Sequence, residues 1–399
     1  MYKLYCRICQ NVLRGYSYFL PWRKPEILEG INCLQRLPVI MKNEGMNRVL
    51  IVTGPHIAVS GLMDSLLAGL RKESIEFFLY DKTVANPTID NIEEALAIYN
   101  TNSCHCIIAF GGGSPIDCAK GVACRAARPD KTISRMRGVL KVRRKLPPLI
   151  AIPTTSGSGS ETTVAAVISN PVTHEKYAIN DPALVPLYAV LDPVITAGLP
   201  PDITAATGMD ALTHAVEAYI GRSNTRETRK MAIDAVKLIF DNIYIAYSQG
   251  NNLAARESMQ KASFYAGAAF TRAYVGYVHA IAHSLGGFYG IPHGLANAVI
   301  MPYVLEAYGT SAHKKLAELA DAAGMTRPSD TAAQKARAFI EAIKQLNHQM
   351  AIPDKIDGIL VSDIPLMAER ACKESNPLYP VPRIMGKKEL ASIYYLIMR

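Results

Sequence analysis

The chain has 399 residues, 49% hydrophobic and 19% charged, with 43 Lys and Arg against 34 Asp and Glu for a formal charge of +9. This composition supports a large buried core and excludes intrinsic disorder, and no run of about 18 uninterrupted apolar residues offers a membrane span. The positive excess is local: nine cations and one anion lie between Arg125 and Lys145, and the remaining 34 cations and 33 anions nearly cancel, which argues against a nucleic-acid-binding face.

Residues 3–20 read as an amphipathic helix, with Leu4, Ile8, Val12, Tyr16 and Phe19 on one stripe and Arg7, Asn11, Arg14 and Ser17 opposite. The stripe is expected to dock on the chain's own domain or on a dimer partner. Arg7, Gln10, Asn11 and Arg14 interrupt any secretory apolar segment. The eight cysteines show no disulfide framework, so a cytoplasmic protein with free thiols is expected. Cys6-x-x-Cys9 has no second pair and reads as incidental.

Next come strands at 48–53, 76–80, 104–110 and 148–152, alternating with helices at 57–72, 88–100 and 116–127. Further extended segments lie near 163–169, 175–179 and 187–191. Such alternation implies a mostly parallel sheet with helices on both faces. After about Pro201 the pattern turns helical: 204–220, 225–248, 253–272, 276–288, 293–308, 312–323, 330–347 and 364–373. The expected plan is an α/β domain over 1–200, with 1–24 as an N-terminal extension, and an all-helical domain over 201–399.

Two loops suit phosphates. Gly111-Gly112-Gly113-Ser114 follows a buried strand and opens a helix, so backbone and helix N–H groups can approach a pyrophosphate. Asp117, in the first turn of that helix, is expected to bond exposed N–H groups there. The usual G-x-G-x-x-G is missing after the first strand, where the chain reads Thr53-Gly54-Pro55-His56-Ile57-Ala58, so this is not an ordinary Rossmann dehydrogenase. The second loop, Pro153 to Glu161, is dense in hydroxyls and glycines and follows the fourth strand.

Asp210 with His214, and His279 with His283, sit one helical turn apart; His293 follows ten residues later. Asp210, His214, His279 and His293 offer one oxygen and three imidazole nitrogens, a set for Fe²⁺ or Zn²⁺ with an open position. His56, His105, His174, His313 and His348 have no partners at ligand spacing and read as structural or surface residues.

The stretches GGGSPIDCAKG (111–121), PTTSGSGSE (153–161), GMDALTHAVEAYI (208–220) and HAIAHSLGGFYGIPHGLANAVIMPYV (279–304) resemble the iron-containing (group III) alcohol dehydrogenases. The resemblance implies a Rossmann-like dinucleotide-binding domain followed by an all-helical metal domain, the fold shared with dehydroquinate synthase. It implies NAD- or NADP-linked interconversion of a small primary alcohol and its aldehyde, in a homodimer or higher homo-oligomer. Position by position, it implies Asp210, His214, His279 and His293 as metal ligands and His283 as a catalytic histidine beside the nicotinamide. Gly112, Gly113, Ser114, Thr154, Thr155, Asn86 and Lys176 become cofactor contacts, and Phe270 a substrate-pocket aromatic. Gly54 stands where many NAD-preferring members carry Asp; without that carboxylate a 2′-phosphate is not repelled and NADP becomes acceptable.

Glycerol or diol dehydrogenation is the alternative within the fold, and a microcompartment-associated propanol or ethanol dehydrogenase, loaded through residues 3–20, is a narrower one. A dehydroquinate synthase-like lyase would need several cations near the metal for its phosphorylated substrate, and only Arg272 lies close in sequence. A non-catalytic scaffold would bind through 125–145 and hold no metal.

Overall fold

The computed structural model describes all residues except 19, 21 and 171–174, and the backbone alone of 16–18 and 175. The readings of Tyr16, Ser17, Phe19 and His174 therefore lie outside the described side chains. The chain forms two compact units, one of Met1–Leu20 with Pro200–Arg399 and one of Pro21–Leu199. The N-terminal helix α1 (Tyr2–Tyr18) belongs to the first of these.

The α/β unit runs β1 (Glu26–Glu29), α2 (Leu37–Asn43), β2 (Arg48–Val52), α3 (Pro55–Ala58), α4 (Asp64–Lys72), β3 (Glu76–Tyr80) and α5 (Ile89–Thr101). It continues with β4 (Cys106–Gly111), α6 (Gly113–Ala127), β5 (Gly138–Val139), β6 (Leu149–Pro153), β7 (Ala165–Asn170), β8 (Glu175–Asn180), β9 (Tyr188–Leu191) and α7 (Pro193–Thr196). Six strands pair in parallel in the order β1-β9-β6-β4-β2-β3. β4 and β6 are buried along their whole length, the signature of a parallel sheet covered on both faces. A smaller sheet, β5-β8-β7, stands apart from it. β2, β4 and β6 are neighbours, so the turns at Gly54, Gly112 and Thr154 gather at one carboxyl edge, where open α/β sheets bind ligands.

The expected helix over 57–72 is two. It breaks between α3 and α4, where Gly61 takes φ +78°, a conformation glycine adopts at no steric cost. α5 starts where Thr88 accepts from the Asn91 backbone and Asn91 reaches back, a capping box.

The helical unit adds α8 (Pro201–Ile220), α9 (Arg226–Ser248), α10 (Leu253–Ala273), α11 (Tyr277–Tyr289), α12 (His293–Tyr308), α13 (Thr310–Ala322), α14 (Ala332–Gln349), α15 (Ile364–Ser375) and α16 (Lys387–Ile397). None of the described helices is long and apolar enough to cross a membrane. α8 is buried on every side from Gly208 to Ile220, so any polar group it carries there must be satisfied within the protein.

Residues 1–20 group with the helical unit rather than with the α/β domain as expected, and the described residues of the apolar stripe of α1 do not dock within the chain. Leu4, Ile8 and Val12 point outward, Leu4 and Val12 each 66% exposed. The inward face is Cys6, Arg7 and Gln10: Arg7 donates to the carbonyls of Val381 and Pro382 at 2.8 Å each, and Gln10 to that of Tyr379 at 2.8 Å. Three main-chain acceptors on the 379–382 segment outweigh the apolar stripe, because buried carbonyls left unpaired cost more than a few exposed aliphatic groups.

Candidate active site

In the helical unit, one ligand atom each from Asp210, His279 and His293 fall within 4.8 Å of one another. His293 opens α12, and Gly294 lets that helix lie against α8: a Cβ there would stand 2.3 Å from the Ala206 carbonyl oxygen and 3.4 Å from the Asp210 Cβ. His293 Nε2 is thereby 3.7 Å from Asp210 Oδ1. Asn297, one turn along α12, donates to Asp210 Oδ1 at 2.7 Å. The fourth expected ligand, His214, is adjacent but outside this cluster of three. Its ring stacks on Phe270 (centroids 4.1 Å apart) and lies 4.5 Å from that of His279.

Glu217, absent from the expected set, organises this end of α8. Its Oε2 accepts from Gly276 N at 2.7 Å and from His279 Nδ1 at 2.6 Å; its Oε1 accepts from Val278 N at 2.9 Å. A ring that donates from Nδ1 keeps its lone pair on Nε2, and His279 Nε2 is buried without a hydrogen-bond partner among the described residues. Burial and the neighbouring His214, His293 and His283 hold His279 well below the usual histidine range, so it is the neutral imidazole that a cation needs. Burial pushes the Glu217 carboxyl up to about 7, against the pull of its donors. A carboxylate–histidine pair with an orphaned distal nitrogen beside an aspartate and a second imidazole fits a divalent metal. The signal for Glu217 was present in the sequence: an acid two turns from Asp210 on the same helix.

His283, one turn along α11, is not in the cluster. Its ring stacks on His293 with centroids 5.1 Å apart, and its Nδ1 meets Glu374 Oε1 at 2.6 Å. Tyr379 donates its hydroxyl to the same oxygen at 2.9 Å. No sequence pattern links residues 91 positions apart, and Glu374 had no signal.

In the α/β unit, the glycine loop ends β4 and the hydroxyl loop ends β6, and the two touch. A Cβ on Gly112 would come within 3.2 Å of Thr155 Oγ1, and one on Gly113 within 3.0 Å of Ser158 Oγ. Thr154 N donates to the Gly111 carbonyl at 3.0 Å. Ser114 Oγ accepts from Asn86 N at 3.1 Å, and Asn86 Oδ1 accepts from Lys176 at 2.9 Å. Gly54 sits at the end of β2, where a Cβ would be 3.2 Å from the Thr83 carbonyl. A cradle that side chains would fill, at the uncapped start of α6, fits a pyrophosphate.

Asp117 does not serve that loop. It faces the interior, accepting from Ser160 Oγ at 2.6 Å and from Val167 N at 3.0 Å. One turn along, buried Lys120 donates to Ser160 O (2.7 Å), Thr163 O (2.9 Å), Thr163 Oγ1 (2.8 Å) and Ala165 O (2.8 Å). The two charges neutralise each other inside the unit and tie α6 to the far end of the hydroxyl loop.

Models of two families match the chain: iron-containing alcohol dehydrogenase over residues 24–193, and the Fe-containing alcohol dehydrogenase family, C-terminal, over 204–398. The chain is 38% identical over 354 residues to 1,3-propanediol dehydrogenase of Citrobacter freundii, covering 88% of this chain and 91% of that one. A crystal structure of 1,3-propanediol oxidoreductase superposes with a TM-score of 0.90 at 35% identity, over 94% of this chain and 99% of the other. Sulfoacetaldehyde reductase from Bifidobacterium kashiwanohense, solved in complex with NAD+, matches with a TM-score of 0.83 at 26% identity, over 95% of this chain and 98% of that one.

Proposed function

The chain belongs to the iron-containing alcohol dehydrogenase family, an oxidoreductase family, and we propose that it interconverts a small primary alcohol or diol and its aldehyde with NAD at the residues described above. The buried Nε2 of His279, without a hydrogen-bond partner among the described residues, beside Asp210 and His293 carries this reading. Asp210, His279 and His293 would hold Fe²⁺, with His214 as the fourth donor; Zn²⁺ suits the same donors. A divalent ion there supplies the positive charge that favours the alkoxide form of an alcohol and polarises an aldehyde carbonyl. A nicotinamide supplies the hydride acceptor or donor.

The protein's own residues do the rest. Glu217 fixes the tautomer of His279. His283 takes the hydroxyl proton in alcohol oxidation and returns it in aldehyde reduction. Phe270, stacked on His214, walls the substrate side. Gly112, Gly113, Ser114, Thr154 and Thr155 cradle the cofactor phosphates, and Asn86 and Lys176 act as a linked pair. Gly54 leaves the adenosine side open to NADP. Similarity to the 1,3-propanediol enzymes favours a short diol over glycerol. The outward stripe of α1 supports a role for residues 3–20 in assembly, as a homodimer contact or as a microcompartment-loading helix.

Exchange of His279 for Ala should abolish bound metal and activity together. Exchange of His283 for Ala should leave metal content intact and lower kcat roughly 100-fold. An active, metal-loaded His279 variant refutes the ligand set, and loss of metal from the His283 variant refutes its role. Rates on a panel of short alcohols, diols and aldehydes, with NAD(H) and NADP(H) in parallel, decide substrate and cofactor.

A further inference from the structure

We propose that Glu374 is the positioning residue of His283, completing a Glu374–His283 dyad; this rests on the reading of His283 as the proton carrier. Glu374 Oε1 lies 2.6 Å from His283 Nδ1 and 2.9 Å from the Tyr379 hydroxyl. A carboxylate only accepts, so both neighbours donate to it. The proton of His283 is thereby held on Nδ1, and Nε2 becomes the basic nitrogen that takes the alcohol proton. Without the carboxylate both tautomers, and the flipped ring, become comparable in energy, and the productive form is diluted. The same logic makes an orienting carboxylate valuable behind any histidine base.

The acid is itself held. It sits in the last turn of α15, and the half-buried Tyr379 carries a phenol raised well above its ordinary range by desolvation of the hydroxyl and by Glu374. The Tyr379 carbonyl accepts from Gln10, and nearby carbonyls accept from Arg7, so α1 braces the segment behind the dyad. Nothing in this arrangement moves a proton to Glu374; the proton from the alcohol stays on His283 until it leaves for solvent.

The test uses full-length, metal-loaded enzyme. Glu374→Ala should lower kcat about tenfold, with both KM values within about twofold and metal content unchanged. Glu374→Gln, whose amide oxygen still accepts from Nδ1, should recover most of that loss and serves if the Ala variant folds poorly. In the His283→Ala background, Glu374→Ala should cost nothing further. The ¹⁵N shifts of His283 in zinc-loaded protein should show the Nδ1-protonated tautomer in the parent and a mixture in Glu374→Ala. Unchanged kcat in Glu374→Ala, an equal loss in both backgrounds, or an unaltered tautomer overturns the dyad while leaving His283 in place. Unchanged kcat in His283→Ala overturns the proton-carrier reading and the dyad with it.

Discussion

Glu217→Gln is the substitution that interrogates the proposed metal centre most directly, because it preserves volume and changes one atom. Glu217 spreads three N–H donors over two oxygens, Gly276 N and His279 Nδ1 on Oε2 and Val278 N on Oε1. Glutamine has one carbonyl oxygen. In the better of its two orientations that oxygen keeps Gly276 and His279, and the amide NH₂ then opposes Val278 N–H. The Val278 N–H and the amide NH₂ are then both left without an acceptor, a cost of about 1–3 kcal/mol for each group. There is no room to rotate away, since the Gly276 position already approaches so closely that a Cβ would be 2.6 Å from Glu217 Oε1. The lost negative charge also weakens the basicity of His279 Nε2, and such partners behind a ligand are worth roughly 10- to 100-fold in metal affinity. Metal-free variant and parent should be titrated with Zn²⁺ against a competing chelator, and calorimetry run with and without metal. The expected result is a Kd raised by that factor and a lower Tm. A variant that binds Zn²⁺ as tightly as the parent refutes the role assigned to Glu217.

Gly294→Ala should force α12 away from the Ala206 carbonyl, which a Cβ would approach to 2.3 Å. It should cost about 1–3 kcal/mol or more and weaken metal binding; Gly287→Ala, with nothing within 4 Å, is the matched control and should be neutral or slightly stabilising. Equal Tm for the two variants would contradict the close approach. Burial pushes the Glu161 carboxyl up from 4.5 to about 7. The folded state then binds more protons than the unfolded one between those values, so this group's contribution is fully favourable below about pH 4.5 and is lost as pH rises through 7. The shift corresponds to about 3 kcal/mol at 1.36 kcal/mol per unit. Glu161→Gln should therefore be more stable than the parent at pH 8 and lose that advantage at pH 4.5; a pH-independent difference in chemical denaturation would show that Glu161 is not the group responsible.

Much of the site was legible because its signals are local. Asp210 and His214 are one turn apart on a helix, and so are His279 and His283; the glycine and hydroxyl loops each follow a buried strand. Periodicity reports which residues share a face. It does not report what that face meets. Asp117 looked like a phosphate-loop residue from its place in the first turn of α6, yet that turn points Asp117 toward Ser160 and Val167. The stripe on α1 was read as docking on the chain's own domain or on a partner; within the chain its described residues face outward, and the helix is held instead by Arg7 and Gln10 meeting carbonyls some 370 residues away.

The sequence by itself therefore determined the alternation that builds a parallel sheet, the switch to helices near residue 200, the glycine-rich loop after a buried strand, and the one-turn spacing of Asp210 with His214 and of His279 with His283. Each depends on residue type and short-range spacing, which a helix or strand converts directly into geometry. Only the tertiary structure decided that His279 is backed by Glu217 and His283 by Glu374. It also decided that Asp210, His279 and His293 draw together while His214 stacks on Phe270. The two histidine–carboxylate pairs join residues 62 and 91 positions apart, and the geometry of the whole cluster is set by how closely α8, α11, α12 and α15 pack, down to a single missing Cβ at Gly294.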